Sequence, residues 1–168
     1  LAASTWSHLM GISQDQIVKS MKEFKGVEHR LEYVRTINEV DFINDSKATN
    51  IDSVIVAIDT YKQPIILILG GFNKGANFRL LLPHIKSSHV RDIVSYGDAG
   101  GQINTALGDA VRSVQVTDLS SAVKKAQLMA APGDIVLLSP GCASYDEFSN
   151  FEERGNHFKS IIKSLAAS

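Results

Sequence analysis

The residues best placed to do chemistry lie in Ser139-Pro-Gly-Cys-Ala-Ser-Tyr-Asp-Glu-Phe148 and the adjoining Asn150-Phe-Glu-Glu-Arg-Gly155. This block directly follows the apolar run Ile135-Val-Leu-Leu138, so it sits where the chain leaves a sheet. Small residues there let the backbone approach a ligand, and Ser144, Asp146 and nearby backbone N–H groups can bind it. Asn44-Asp-Ser-Lys-Ala-Thr49 and Gly70-Gly-Phe-Asn-Lys-Gly75 have the same placement. Polar turns gathered on one sheet edge suggest a composed site for an anionic substrate.

Each turn has a chemical and an ordinary reading. Lys74 offers a charge to a carboxylate or phosphate, or is a solvated turn lysine. A Walker A loop needs Ser or Thr after its Lys, and Gly75 stands there, which excludes a P-loop. Asp45 could orient a cation or a ribose hydroxyl, and Lys47 could neutralise phosphate. Thr49 could donate to a carboxylate near a helix start, where free N–H groups favour anions; Thr49 or Asn50 also reads as a helix cap. In His29-Arg30 the Arg could bind phosphate and the His could stack on a base, but a solvated surface pair is the more ordinary reading.

Other chemistries find little support. Gly97-Asp-Ala-Gly-Gly101 lacks the dinucleotide fingerprint and reads as a turn. Ser144 with His157 or His29 and Asp146 has triad residue types, but the G-x-S-x-G elbow is missing. Cys142 beside a buried strand reads as inert packing, and no cluster has structural-zinc spacing, so no metal ligands are predicted.

Periodicity locates the strands and helices that carry these turns. Ser13 and Gln16 have capping-box spacing ahead of an apolar helix stripe at Ile17, Met21 and Phe24. Leu31–Ile37 and Val40–Ile43 read as paired strands with a turn at Asn38-Glu39. Ile51, Val54, Ile55 and Ile58 mark a helix, and Ile65–Leu69 a buried strand. Asn77–Ile85 reads as a helix that Pro83 kinks or shortens. Strands at Val90–Tyr96, Val111–Val116 and Asp134–Leu138 alternate with helices at Ala99–Leu107, after Asp118, and around Phe158–Leu165. This alternation predicts an α/β, Rossmann-like fold: a mostly parallel sheet with helices on both faces and ligands beyond its carboxyl edge.

A chain of 168 residues is long enough for one domain with a real core. Its net charge of −1 gives no general attraction to nucleic acid or to anionic membrane. No apolar run reaches the roughly 20 residues of a bilayer span, and no signal peptide is recognisable. One cysteine excludes an internal disulfide and fits a reducing cytoplasm. The chain opens at Leu1 in what reads as the middle of a helix, so a fragment of a longer protein is expected.

Taken in order, several blocks resemble the Mur ligases, ATP-dependent amide ligases of peptidoglycan precursor synthesis. They are Phe24-Lys-Gly-Val-Glu-His-Arg-Leu-Glu32, Asn44–Asn50, Leu69–Gly75, Leu137–Phe148 and Asn150–Gly155. The resemblance points to the branch that adds D-glutamate to UDP-N-acetylmuramoyl-L-alanine. It implies that residues 24–168 form the C-terminal Rossmann-like domain, with 1–23 the tail of a central ATPase domain and its linker. By resemblance, Thr49, Lys74 and Ser144 hold the D-glutamate carboxylates, Phe151 packs on its side chain, and Tyr145 contacts it through backbone. His29, Arg30, Asp45 and Lys47 then face the nucleotide. ATP and Mg²⁺ serve the complete enzyme, none bound tightly by this domain, which holds no catalytic residue and is expected to be inactive alone. A monomeric, cytoplasmic bacterial enzyme is implied, with no nucleic-acid or membrane partner. Gly141 stands where alanine is usual and could loosen the turn presenting Ser144; Asn73 replaces a common acidic residue. A folylpolyglutamate synthase-like ligase and a stand-alone nucleotide-binding module are the competing readings.

Overall fold

Apolar side chains alternate between two cores across the central strands. In β3 (Ile65–Gly70), Ile65, Leu67 and Leu69 enter one apolar cluster while Ile66 and Ile68 enter another on the opposite face. In β6 (Ile135–Gly141), Ile135 and Leu137 divide from Val136 and Leu138 in the same way. Strands buried on both faces must be covered on both. Helices α3 (Ile51–Thr60), α4 (Leu82–Ser87) and α5 (Gly100–Leu107) cover the first face. Helices α6 (Leu119–Met129) and α7 (Phe151–Ser164) cover the second.

The remaining strands are β1 (Glu32–Ile37), β2 (Val40–Asn44), β4 (Val90–Tyr96) and β5 (Arg112–Gln115). The computed structural model describes residues 2–24 and 26–165 and arranges them around a six-stranded sheet, in the order β1-β2-β6-β3-β4-β5. Only the β1–β2 pair is antiparallel. The fold is the predicted α/β, Rossmann-like class. Asn38 and Glu39 both take positive φ, 50° and 60°, which makes the short turn between β1 and β2 match the twist of its strands.

Two elements differ from expectation. The segment 77–85 is not one helix: a 3₁₀ turn at Phe78–Leu81 leads into α4, with Pro83 in the first turn of α4, where its missing N–H costs no bond. Strand β6 runs past Leu138, because Gly141 still pairs with Gly70 of β3. Ser139-Pro140-Gly141 is therefore buried strand, and the turn proper begins at Cys142.

The amino-terminal helices α1 (Ala2–Leu9) and α2 (Gln14–Glu23) form a separate pair. Both arms of the Ser13–Gln16 capping box are made. The expected stripe is present but faces solvent: α2 buries no residue, and Met21 and Phe24 are 63% and 66% exposed. Among the described residues no helix is long and apolar enough to cross a membrane.

The sheet order places the ligand edge. The chain leaves β2 and β3 toward α3 and α4 on one face, but leaves β6, which lies between them, toward α7 on the other. Connections that diverge to opposite faces open a crevice at the carboxyl ends of these strands, a topological switch point.

Candidate functional site

The turns after β3 and β6 meet at that crevice. Phe72 and Ala143 form an isolated antiparallel bridge, Phe72 N donating to Ala143 O at 2.9 Å and Ala143 N to Phe72 O at 3.1 Å. Gly71 makes the approach possible: its φ is +117°, and a Cβ there would collide with the Ala143 carbonyl oxygen. Asn73 shapes the lysine turn. Its Oδ1 accepts from Gly75 N at 2.9 Å and Ala76 N at 2.7 Å, while its Nδ2 donates to Gln102. An acidic residue could accept the same pair but could not donate to Gln102. Lys74 is thereby presented at the exposed tip, with its Nζ 4.7 Å from the centre of the Tyr145 ring.

Ser144 is 2% exposed, and its carbonyl accepts from Glu147 N and Phe148 N, so its turn is closed on itself. Gly141 does not loosen this turn. It sits at φ +68°, where a side chain would be strained and pressed against Val54, and its N–H donates to Ala48 O at 2.8 Å.

The turn after β2 divides its polar residues between inside and outside. Asn44, Asp45 and Ser46 are buried; Lys47, Thr49 and Asn50 are exposed. Asn50, not Thr49, caps α3, accepting from Ser53 N. Asp45 Oδ1 accepts from Leu31 N at 3.2 Å and its Oδ2 from Ser139 Oγ at 2.8 Å. Its carboxylate thus binds the interior instead of standing free toward a ribose or cation. Burial pushes the Asp45 carboxyl up to about 6, against the hydrogen bonds from Ser139 and Leu31. Because the folded value lies above the unfolded one, protonated Asp45 stabilises the fold at low pH, and that contribution fades as pH rises through about 6. Asp45→Asn is therefore expected to narrow its stability deficit, or exceed the parent, as pH rises from 4 to about 7; thermal unfolding of both proteins across that range is the check.

His29 corrects the expected solvated pair. It is 4% exposed, while Arg30 is exposed. Asn44 Oδ1 accepts from Ser46 N and its Nδ2 donates to Glu32, which fixes the amide orientation. The same Nδ2 lies 3.0 Å from His29 Nδ1, so that ring nitrogen is the acceptor. The ring also meets Phe151 edge-on, with centroids 6.1 Å apart, and so is not free to stack on a base. Phe151 is half-buried at the start of α7, with Lys47 Nζ 5.2 Å from its ring centre. Arg30, Asp45 and Lys47 do share the wall of one hollow, but its volume of about 20 Å³ admits a water, not a nucleoside.

Arg154 is the organising residue that residue types alone did not single out. It is fully buried, with Nε donating to Ser46 Oγ at 3.0 Å and Nη2 to Ser46 O at 2.8 Å. Its Nη1 donates to Cys142 O and Ala143 O, each at 3.1 Å. Ser46 Oγ donates in turn to Phe151 O. One guanidinium on α7 thus ties the turn after β2 to the turn after β6. The signal was present, since a lone Arg among Asn150-Phe-Glu-Glu-Arg-Gly155 lies a helical turn beyond the Asn150 cap.

The hydrolytic reading dissolves. His157 Nε2 pairs with Ser120 Oγ at 2.8 Å and His29 Nδ1 with Asn44 Nδ2 at 3.0 Å, neither with Ser144, and burial pushes the Cys142 thiol up to about 12. Glu28, His29 and Glu32 come close enough to suggest a cation site. Lys159 pairs with both carboxylates, and Glu32 also accepts from His29 N and Asn44 Nδ2, so those ligand atoms are already used.

A doubly wound sheet whose switch point joins a lysine turn to a buried-serine turn defines an α/β, Rossmann-like domain, and the crevice at such a point is where sheets of this kind place ligands. The family model described as "Mur ligase, glutamate ligase domain" matches residues 29–142. UDP-N-acetylmuramoylalanine–D-glutamate ligase of Chloroherpeton thalassium is 42% identical over 98% of this chain and 35% of its own length. The enzyme of that name from Alkaliphilus metalliredigens is 44% identical over 100% of this chain and 37% of its own. The solved UDP-N-acetylmuramate–alanine ligase of Thermotoga maritima shares the fold, with a TM-score of 0.67 at 14% identity over 95% of this chain and 36% of that one. The chain belongs to the Mur ligase family. It spans little more than a third of the length of these relatives.

Proposed function

We propose that this chain is the C-terminal, amino-acid-accepting domain of a ligase that joins D-glutamate to UDP-N-acetylmuramoyl-L-alanine in peptidoglycan precursor synthesis. The observation that carries this reading is the pairing of Lys74 with the Ser144-Tyr145 turn at the switch point. The activity named for the relatives in two bacteria supports the choice of amino acid. In the reaction, ATP gives its γ-phosphoryl group to the nucleotide substrate's carboxylate, which forms an acyl phosphate and releases ADP. The D-glutamate amine attacks it, and the tetrahedral intermediate collapses to amide and phosphate.

This domain's share of that chemistry is to bind and orient. Lys74, Thr49 and Ser144 supply a cation and hydroxyls for two carboxylates, Tyr145 its backbone, and Phe151 an apolar wall held by Lys47. Arg30 and Lys47 face the nucleotide; the buried His29 accepts from Lys47 N through its carbonyl, and the buried Asp45 accepts from Leu31 N next to Arg30. Closure onto the ATP-bearing part of the enzyme desolvates these contacts and strengthens them. Residues 1–23 serve as the tail and linker of that part; the exposed apolar residues Trp6, Leu9 and Met21 are the surface it would cover. ATP and Mg²⁺ are held by the ATP-bearing part, the domain alone is inactive, and the assembled enzyme works as a cytoplasmic monomer.

The test is phosphate release by the complete enzyme that carries this chain. Release should require UDP-N-acetylmuramoyl-L-alanine and D-glutamate together, and L-glutamate should not replace the D form. Turnover with a folate and L-glutamate, and none with D-glutamate, would overturn the proposal.

A further inference from the structure

Among the described residues no carboxylate neutralises Lys74; its ammonium lies instead over the Tyr145 ring. Tyr145 is 62% exposed, so the ring is not there to fill the core. Its backbone is nonetheless firmly held. Ser144 before it is buried, Phe148 N donates to Ser144 O at 2.8 Å, and Asp146 after it accepts from Asp98 N. The Phe72–Ala143 bridge couples this turn to the lysine turn. An aromatic face on a hydrogen-bonded turn thus stands opposite an exposed lysine.

The face of an aromatic ring carries negative potential and attracts an ammonium, while the ammonium's remaining N–H groups stay free for another acceptor. A solvated lysine must lose rotamer freedom when it binds a carboxylate. The ring removes part of that loss beforehand. We propose that the Tyr145 ring is a positioning residue that holds the Lys74 ammonium beside Ser144, ready for a carboxylate of the incoming amino acid. This rests on the reading of Lys74 as a carboxylate-binding group. It adds a role for the ring to the backbone contact the family resemblance implies, which a leucine would preserve.

The experiment compares Tyr145→Leu, Tyr145→Phe, Lys74→Ala and the Lys74→Ala/Tyr145→Leu pair in the complete enzyme. Tyr145→Leu should raise the apparent KM for D-glutamate about two- to fivefold, the worth of an exposed cation–π contact. The apparent KM for ATP should not move, and Tyr145→Phe, which keeps the ring, should retain the parent value. In the Lys74→Ala background the leucine should add nothing. The proposal fails if leucine is silent, if phenylalanine behaves as leucine does, or if leucine acts equally with and without Lys74. If Lys74→Ala itself leaves the D-glutamate KM unchanged, the acceptor-site reading falls and this role with it. A Lys74 effect with a silent Tyr145→Leu overturns the ring's role alone.

Discussion

Lys74→Ala in the complete enzyme should lower kcat/KM for D-glutamate about ten- to a hundredfold, the loss of a charge-assisted hydrogen bond worth about 1.5–3 kcal/mol. The expectation follows from position. Lys74 is exposed on a turn shaped by Asn73, at the crevice where the chain leaves β3 and β6 toward opposite faces. Its charge is neutralised by no carboxylate among the described residues and rests only on a ring. A cation so placed contributes little to folding, because exposed groups away from a packed network change stability by about 0.5 kcal/mol or less. The mutant should therefore unfold at the parent's temperature while losing affinity for the amino acid. Initial rates at varied D-glutamate, beside a thermal melt, separate the two effects. Parent kinetics in Lys74→Ala would remove this residue from the acceptor site.

Arg154→Ala should have the opposite profile, a large loss of stability. Its guanidinium is fully buried and satisfies Ser46 O, Cys142 O and Ala143 O together with Ser46 Oγ. Alanine takes the guanidinium donor from buried Ser46 O and Cys142 O, leaves Ala143 O only its bond from Phe72 N, and opens a void, and the expected cost is about 3–5 kcal/mol. Lysine offers a compact ammonium in place of a planar fork, so it cannot reach both turns and should recover only part of the loss. Urea unfolding of the chain with Arg, Lys and Ala at this position measures the series. A loss below about 1 kcal/mol for alanine would show that the turns hold themselves in place without the arginine.

Part of the site was legible in the order of residues. The turns after β2, β3 and β6 are recognisable because a polar, glycine-rich segment follows an apolar strand, and strand periodicity depends on near neighbours alone. The capping box at Ser13, the Asn38-Glu39 turn and the Asp118 cap are likewise local, and each is made as expected. The stripe at Ile17 and Met21 was also readable, but not that it would face solvent, because burial depends on what lies opposite.

Polarity proved a poor guide to direction. Asn44 and Asp45 look as suited to a ligand as Lys47 and Thr49, yet the first pair turns inward and the second outward. Asp45 turns in because Ser139, extended into β6 by the Gly70–Gly141 pairing, brings a hydroxyl to it. His29 turns in because Asn44 and Phe151 enclose it. Neither partner is near in sequence.

The α/β class, the strand-end turns and the family to which they belong follow from the order of residues, since these rest on short-range periodicity and on motifs read in order. The place of β6 between β2 and β3, the Arg154 lock on two turns and the contact of Lys74 with Tyr145 emerge in the folded molecule alone. Those outcomes depend on contacts between segments far apart along the chain. A buried guanidinium finds its partners, and a lysine its ring, only once the sheet has brought those segments together.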